Sequence, residues 1–196
     1  MAAVSGIVTL MELYQLAGYL AGITYAISAS LYVLDVARKK VKVSIASYFM
    51  FSLINASQLI ALTGEGLWSI IPFAFVGFIV SVSIFILSFR NGKIYFKLLD
   101  KIALGGALIG FVAWQLTDDP AMNIYILNIT NFIIFAPIIV KTFKYPDYET
   151  ATPWRVNLLA SFFLLLTINS ATLVVVIVPV REFLSSLLMN VGIARK

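Results

Sequence analysis

Two stretches of this 196-residue chain carry amide side chains one helical turn apart: Asn55 with Gln58, and Asn128 with Asn131. Tyr125 falls on the same side as the second pair. Residues at i and i+3 share a helix face, so each pair offers hydrogen-bond donors and acceptors together, suited to an uncharged polar solute. Thr24, Tyr25 and Ser28 add hydroxyls at similar spacing. Ser, Thr, Asn and Gln also join packed helices in lipid, at well under about 2 kcal/mol per bond. Both uses, cavity lining and helix joining, fit these residues.

Arg181 and Glu182 are the charged residues that fall inside an apolar stretch. An ionisable residue at membrane depth is a functional candidate by default. Glu182 suits a proton or a cationic group, and Arg181 suits a carboxylate or phosphate held bidentately. Neighbours on a helix point about 100° apart, so the two need not pair with each other. A purely structural pair, or charges in water where the helix frays near Pro179, is the alternative.

Much chemistry is excluded. There is no Cys and no His, which removes disulfides, thiol catalysis, His-ligated haem and nearly all zinc sites. The usual general base is missing too. No catalytic residue, metal or cofactor is expected, and the chain does not read as an enzyme.

The elements that must position these side chains are membrane spans. Hydrophobic residues make up 61% of the chain, and the mean hydropathy is +0.99, well outside soluble usage. Apolar stretches fall at Leu13–Leu34, Val43–Leu62, Leu67–Phe89, Ile102–Leu116 and Ala121–Val140. Thirteen of the fourteen Lys and Arg residues sit in alternate breaks: 38–42, 90–101, 141–155 and 195–196. The intervening breaks have none. That is the positive-inside pattern. The net charge of +5 therefore reads as a topology signal facing anionic lipid, with no nucleic-acid partner. The N-terminal stretch lacks a basic leader, so no cleaved signal peptide is expected. Trp68, Trp114 and Trp154 fall at expected helix ends, as interfacial aromatics do.

The last third admits one long helix or two. Sliding the chain on itself by 107 residues aligns Ala29-Ser30 with Ala136-Pro137, Ser47 with Trp154, and Pro72 with Pro179. It also sets Thr63–Gly66 on Ser170–Leu173, which marks a break near Asn169-Ser170 and gives helices Trp154–Ile168 and Thr172–Ile193. The expected fold is an all-α membrane protein of seven transmembrane helices in one domain. A three-helix unit (13–89), a linker helix (102–116) and a second unit (121–193) form a 3+1+3 parallel pseudo-repeat, N-terminus outside and C-terminus cytoplasmic. Pro72, Pro137 and Pro179 are candidate hinges.

The segment Ala136-Pro137-Ile138-Ile139-Val140-Lys141-Thr142, then Tyr145-Pro146 through Glu149-Thr150 and Thr152-Pro153-Trp154, resembles the PQ-loop and SWEET carriers. It is also similar to small bacterial membrane proteins of that type. Ile138 stands where the family has Gln, and Ser30-Leu31 where the first unit would have Pro-Gln. The family's solute-gripping Asn and Trp have no matching pair here, although Asn190 and Trp154 lie in expected helices. The resemblance implies the 3+1+3 plan and a site between the units. The expected function is a transporter or facilitator of a small polar solute by alternating access. A non-retinal seven-helix sensor or a lipid-handling protein is the alternative. Membrane lipid is the other partner, and the prokaryotic inner membrane the expected location. A monomer suffices, and a homo-oligomer is compatible with the sequence.

Overall fold

The computed structural model describes residues 2–91, 101, 105, 106, 108, 109, 112, 113 and 115–195, with residues 2–10 and 91 described by backbone alone. Six continuous α-helices stand among the described residues: α1 (Ala2–Ala37), α2 (Ile45–Gly64), α3 (Ile71–Asn91), α4 (Pro120–Lys144), α5 (Ala151–Leu165) and α6 (Leu173–Ile193). A single 3-10 turn, Pro146–Tyr148, links α4 to α5. Most of the span expected at 102–116, Trp114 included, lies outside the described residues; those described between Gly105 and Gln115 are helical.

Local chemistry sets the helix ends. Ser44 caps α2 by accepting from the Ser47 N–H at 3.3 Å. Asp119 caps α4, accepting from Ala121 at 2.9 Å and Met122 at 3.4 Å, and Pro120 fills the first helical position, where no N–H is needed. After α2, Gly66 takes φ +67°, and the Leu67 and Gly66 N–H groups close back on the Leu62 and Thr63 carbonyls, the glycine-ended helix stop. Lys39 fills the same left-handed position after α1 at φ 59°. Helix α1 begins at Ala2, about three turns before the expected Leu13, and other expected and observed ends differ by about a turn. Helix α4 runs on through Lys144 because no breaker precedes Pro146. Helix α3 starts at Ile71, since the chain turns through Trp68 and Ser69.

Five of the helices are long and apolar enough to cross a membrane. Helix α5 has 15 residues, about 22 Å at 1.5 Å per residue. Polarity is distributed inside out. Ser28, Ser57, Gln58, Asn128, Asn131, Asn157 and Ser186 are buried, while Ile23, Ile60, Phe75, Ile129, Phe162 and Leu184 face outward. Lipid accepts the apolar exterior, and polar groups must find partners inside. The chain is an all-α membrane protein.

Helix α3 packs against both α1 and α2, and α6 packs against both α4 and α5. The two groups meet where α1 packs on α5 and α2 on α4. Exchanging α1 with α4, α2 with α5 and α3 with α6 maps these contacts onto themselves. Each group also carries an Asn-to-Ser hydrogen bond between its second and third helices: Asn55 to Ser81 at 3.3 Å, and Asn157 to Ser186 at 2.8 Å. These pairs are not in the 107-residue register, so the chemistry repeats more loosely than the helix plan. The Lys141 Nζ reaches the Lys42 carbonyl at 2.8 Å, which puts the exits of α1 and α4 at one end of the molecule. Arg195 lies over Phe143 at that same end. Gly64 approaches Pro120 at the other.

Close approach of α1 to the start of α3 depends on two glycines a turn apart. A Cβ at Gly18 would stand 1.9 Å from the Ser69 carbonyl oxygen, and one at Gly22 would stand 2.8 Å from Pro72 Cβ. Small residues let membrane helices approach in this way. Gly18→Val is expected to lower the unfolding midpoint in detergent, at a cost of about 1–3 kcal/mol or more from overpacking. Gly105→Ala, where a Cβ meets nothing within 4 Å, is the control and leaves the midpoint unchanged or raised.

Candidate functional site

All six helices line one central cavity of about 120 Å3. A water needs roughly 10–15 Å3 of such space, so several waters or a small solute fit. Tyr25 and Ser28 come from α1, Asn55 and Gln58 from α2, Ser81 from α3, Asn131 from α4, Asn157 from α5, and Arg181, Glu182 and Ser185 from α6. The cavity therefore lies between the two three-helix groups.

Five of the eight expected site residues meet there: Asn55, Gln58, Asn131, Arg181 and Glu182. Asn55 is tied down, donating to the Gly77 carbonyl at 3.2 Å and to Ser81. Gln58 is 3% exposed, and its Oε1 has no partner. The other three residues lie elsewhere. Tyr125 is outside the lining. Asn128 turns back on its own helix, donating to the Ile124 carbonyl at 2.7 Å. Asn190 donates to the Trp154 and Ser186 carbonyls at 2.9 and 2.8 Å, joining α6 to α5.

Arg181 and Glu182 pair with each other, Nη2 to Oε1 at 2.5 Å. The 100° separation of their helix positions is overcome by the length of both side chains. Arg181 Nε is buried without a partner, as is the Asn157 Oδ1. Counting Gln58 Oε1, three buried polar atoms of the lining lack protein partners. Three further such atoms among the described residues, Asn123 Oδ1, Asn128 Oδ1 and Thr150 Oγ1, lie away from the lining. Of the three prolines, Pro72 sits in the first turn of α3, where a missing N–H breaks no helical bond. Pro137 and Pro179 lie inside α4 and α6 and do interrupt the ladder.

Sequence reasoning did not place Asn157 or Glu149 at the site. Asn157 had a readable signal, a lone amide in the apolar run of α5. Glu149 had none, since it looks like any carboxylate in a polar break. It is 1% exposed. Its Oε1 pairs with Lys141 Nζ at 2.5 Å, and its Oε2 accepts from Tyr32 Oη and Trp154 Nε1, each at 3.3 Å. Tyr48 Oη donates on to Tyr32 Oη at 3.3 Å. Above this carboxylate the aromatic rings close a circuit. Tyr32 meets Trp154 at 5.7 Å, Trp154 meets Phe135 at 5.8 Å, Phe135 meets Phe51 at 6.2 Å, and Phe51 meets Tyr48 at 5.6 Å. All five rings line the cavity. They come from α1, α2, α4 and α5, so both groups build this floor on the basic side.

Removing one partner of a buried pair strands the other charge. Lys141→Met is expected to destabilise the protein by about 3–5 kcal/mol in detergent unfolding. Lys141→Met with Glu149→Leu is expected to recover only part of that loss, because Tyr32 Oη and Trp154 Nε1 then lose their acceptor, and a double variant no better than the single would show that the pair does not act as a unit.

Comparison with protein-family models, with curated proteins and with solved structures finds no match for this chain, so the chemistry of the cavity carries the functional reading.

Proposed function

We propose that the protein is a carrier or facilitator of a small polar solute, working by alternating access between two parallel three-helix units of the PQ-loop and SWEET kind. The observation that carries this reading is the cavity. It lies between two groups whose contacts exchange onto themselves, and its lining brings together Asn55, Gln58, Asn131, Asn157, Arg181 and Glu182. Binding at a repeat interface suits transporters built this way.

The orientation follows from charge. The end bearing Arg38–Lys42, Lys141 and Arg195 faces the cytoplasm by the positive-inside rule, leaving the N-terminus outside. Helix α3 ends on that basic side and α4 starts on the other. In this reading the span expected at 102–116 carries the chain back between them. The two units then run parallel and the C-terminus is cytoplasmic, as in a prokaryotic inner membrane. A single chain completes the pathway, so a monomer suffices. Pro137 and Pro179 supply bending points within α4 and α6, and the aromatic floor with Glu149 is the cytoplasmic closure that has to part.

Uptake into proteoliposomes tests the reading. A panel of labelled neutral and zwitterionic solutes is expected to include at least one that enters saturably. Asn157→Leu and Gln58→Leu are expected to slow its entry at least tenfold without changing elution in size exclusion. Saturable binding without uptake would instead favour a sensor. Flip of labelled phospholipid with no solute entry would favour lipid handling.

The closure can be tested separately, because the chain contains no Cys. Ser185→Cys puts one thiol in the cavity. Adding Glu149→Gln is expected to raise its reaction rate with an impermeant maleimide applied from the basic side by several-fold. An unchanged rate would mean that this layer does not seal the cavity.

A further inference from the structure

We infer that the solute is a small zwitterion, carrying a carboxylate-type and an ammonium-type group, and that Arg181 and Glu182 receive its two charges. The inference rests on the carrier reading and narrows its substrate class.

Among the described residues, Arg181 and Glu182 are the charged side chains of the cavity lining. Together they leave the cavity neutral. A solute with net charge would enter a low-dielectric space in which nothing offsets it. A zwitterion adds no net charge, and it can divide the existing pair. Its carboxylate takes the guanidinium edge that carries the unpartnered Nε, in the bidentate geometry Arg favours. Its ammonium takes Glu182. The unpartnered acceptors point the same way. Gln58 Oε1 and Asn157 Oδ1 both call for a donor, which an ammonium supplies and a carboxylate does not. The lining thus offers Arg181 as a cationic donor, Glu182 as an anionic acceptor, and the amides of Gln58, Asn131 and Asn157 as neutral hydrogen-bonding groups.

The pair has no second structural task. Its guanidinium–carboxylate contact joins neighbouring residues of one helix and ties no two elements together. Opening it to admit a solute therefore breaks no ion pair between α6 and another described element.

Isothermal titration on the whole protein in detergent tests this with four matched probes: L-alanine, propionate, ethylammonium and glycerol. Alanine is expected to bind at least tenfold tighter than each of the others. It is also expected to enter proteoliposomes saturably. Arg181→Gln with Glu182→Gln removes both charges at once, so no charge is stranded and folding is preserved. That double variant is expected to lose alanine binding at least tenfold. Single Arg181→Gln is expected to lose at least as much. Preferential binding and uptake of glycerol, unchanged in the double variant, would overturn the zwitterion and leave the carrier standing. Binding and uptake of none of these probes or of the wider solute panel would overturn both.

Discussion

Glu149 sets the constraint on which the two halves depend. A carboxylate with none of its side chain exposed is tolerable only where charge and hydrogen bonds surround it. No single helix supplies them. Tyr32 comes from α1, Lys141 from α4 and Trp154 from α5, while Lys141 also reaches back to the Lys42 carbonyl beyond α1. Lys42 in turn lies 3.9 Å from the centre of the Tyr148 ring. Meeting the demands of one anion thus brings the exits of α1 and α4 together and fixes where the two groups touch.

Away from that layer, polar side chains face inward because lipid offers them no partners. Hydrophobic force does little to bring helices together when their surroundings are equally apolar. Packing then rests on close backbone approach and short hydrogen bonds. Gly18 and Gly22 allow the first between α1 and α3. Ser28 supplies the second between groups, donating to the Pro153 carbonyl at 2.8 Å. Because Pro153 lies in the first turn of α5, its carbonyl bond ties the start of that helix directly to α1. The central space left over is where six inward-facing stripes meet.

The helices themselves were legible in the sequence, because capping residues and breakers act locally. Ser44, Gly66, Asp119-Pro120 and Pro146 each mark an end within a residue or two, and the break at Asn169-Ser170 stands between α5 and α6. Facing was only half legible. Asn128 and Asn131 share a broad face, yet a modest rotation of α4 gives the cavity Asn131 and leaves Asn128 to its own backbone. Helical spacing fixes relative angle, while absolute rotation depends on neighbours far along the chain. Glu149 is the extreme case. Its burial is decided by Tyr32, 117 residues away, and no local pattern encodes that. The pairing of Arg181 with Glu182 is illegible for another reason: the helix fixes their angular separation, while the reach of two long side chains closes it.

The two buried ion pairs differ in what they hold. Lys141 and Glu149 link α4 to the segment that opens α5, and the carboxylate gathers α1 as well. Among the described residues, the ion pair of Arg181 and Glu182 lies within one helix and joins no second element. Replacing a buried pair by apolar residues of similar size is often neutral or stabilising. A pair that joins no elements, in a helix already satisfied by its backbone bonds, contributes little that Leu and Met would not. It also leaves Arg181 Nε without a hydrogen-bond partner among the described residues, a further cost. Stability thus accounts for the first pair and argues against the second. What remains to account for the second is its position on the cavity wall, where a guanidinium and a carboxylate lie open to whatever enters.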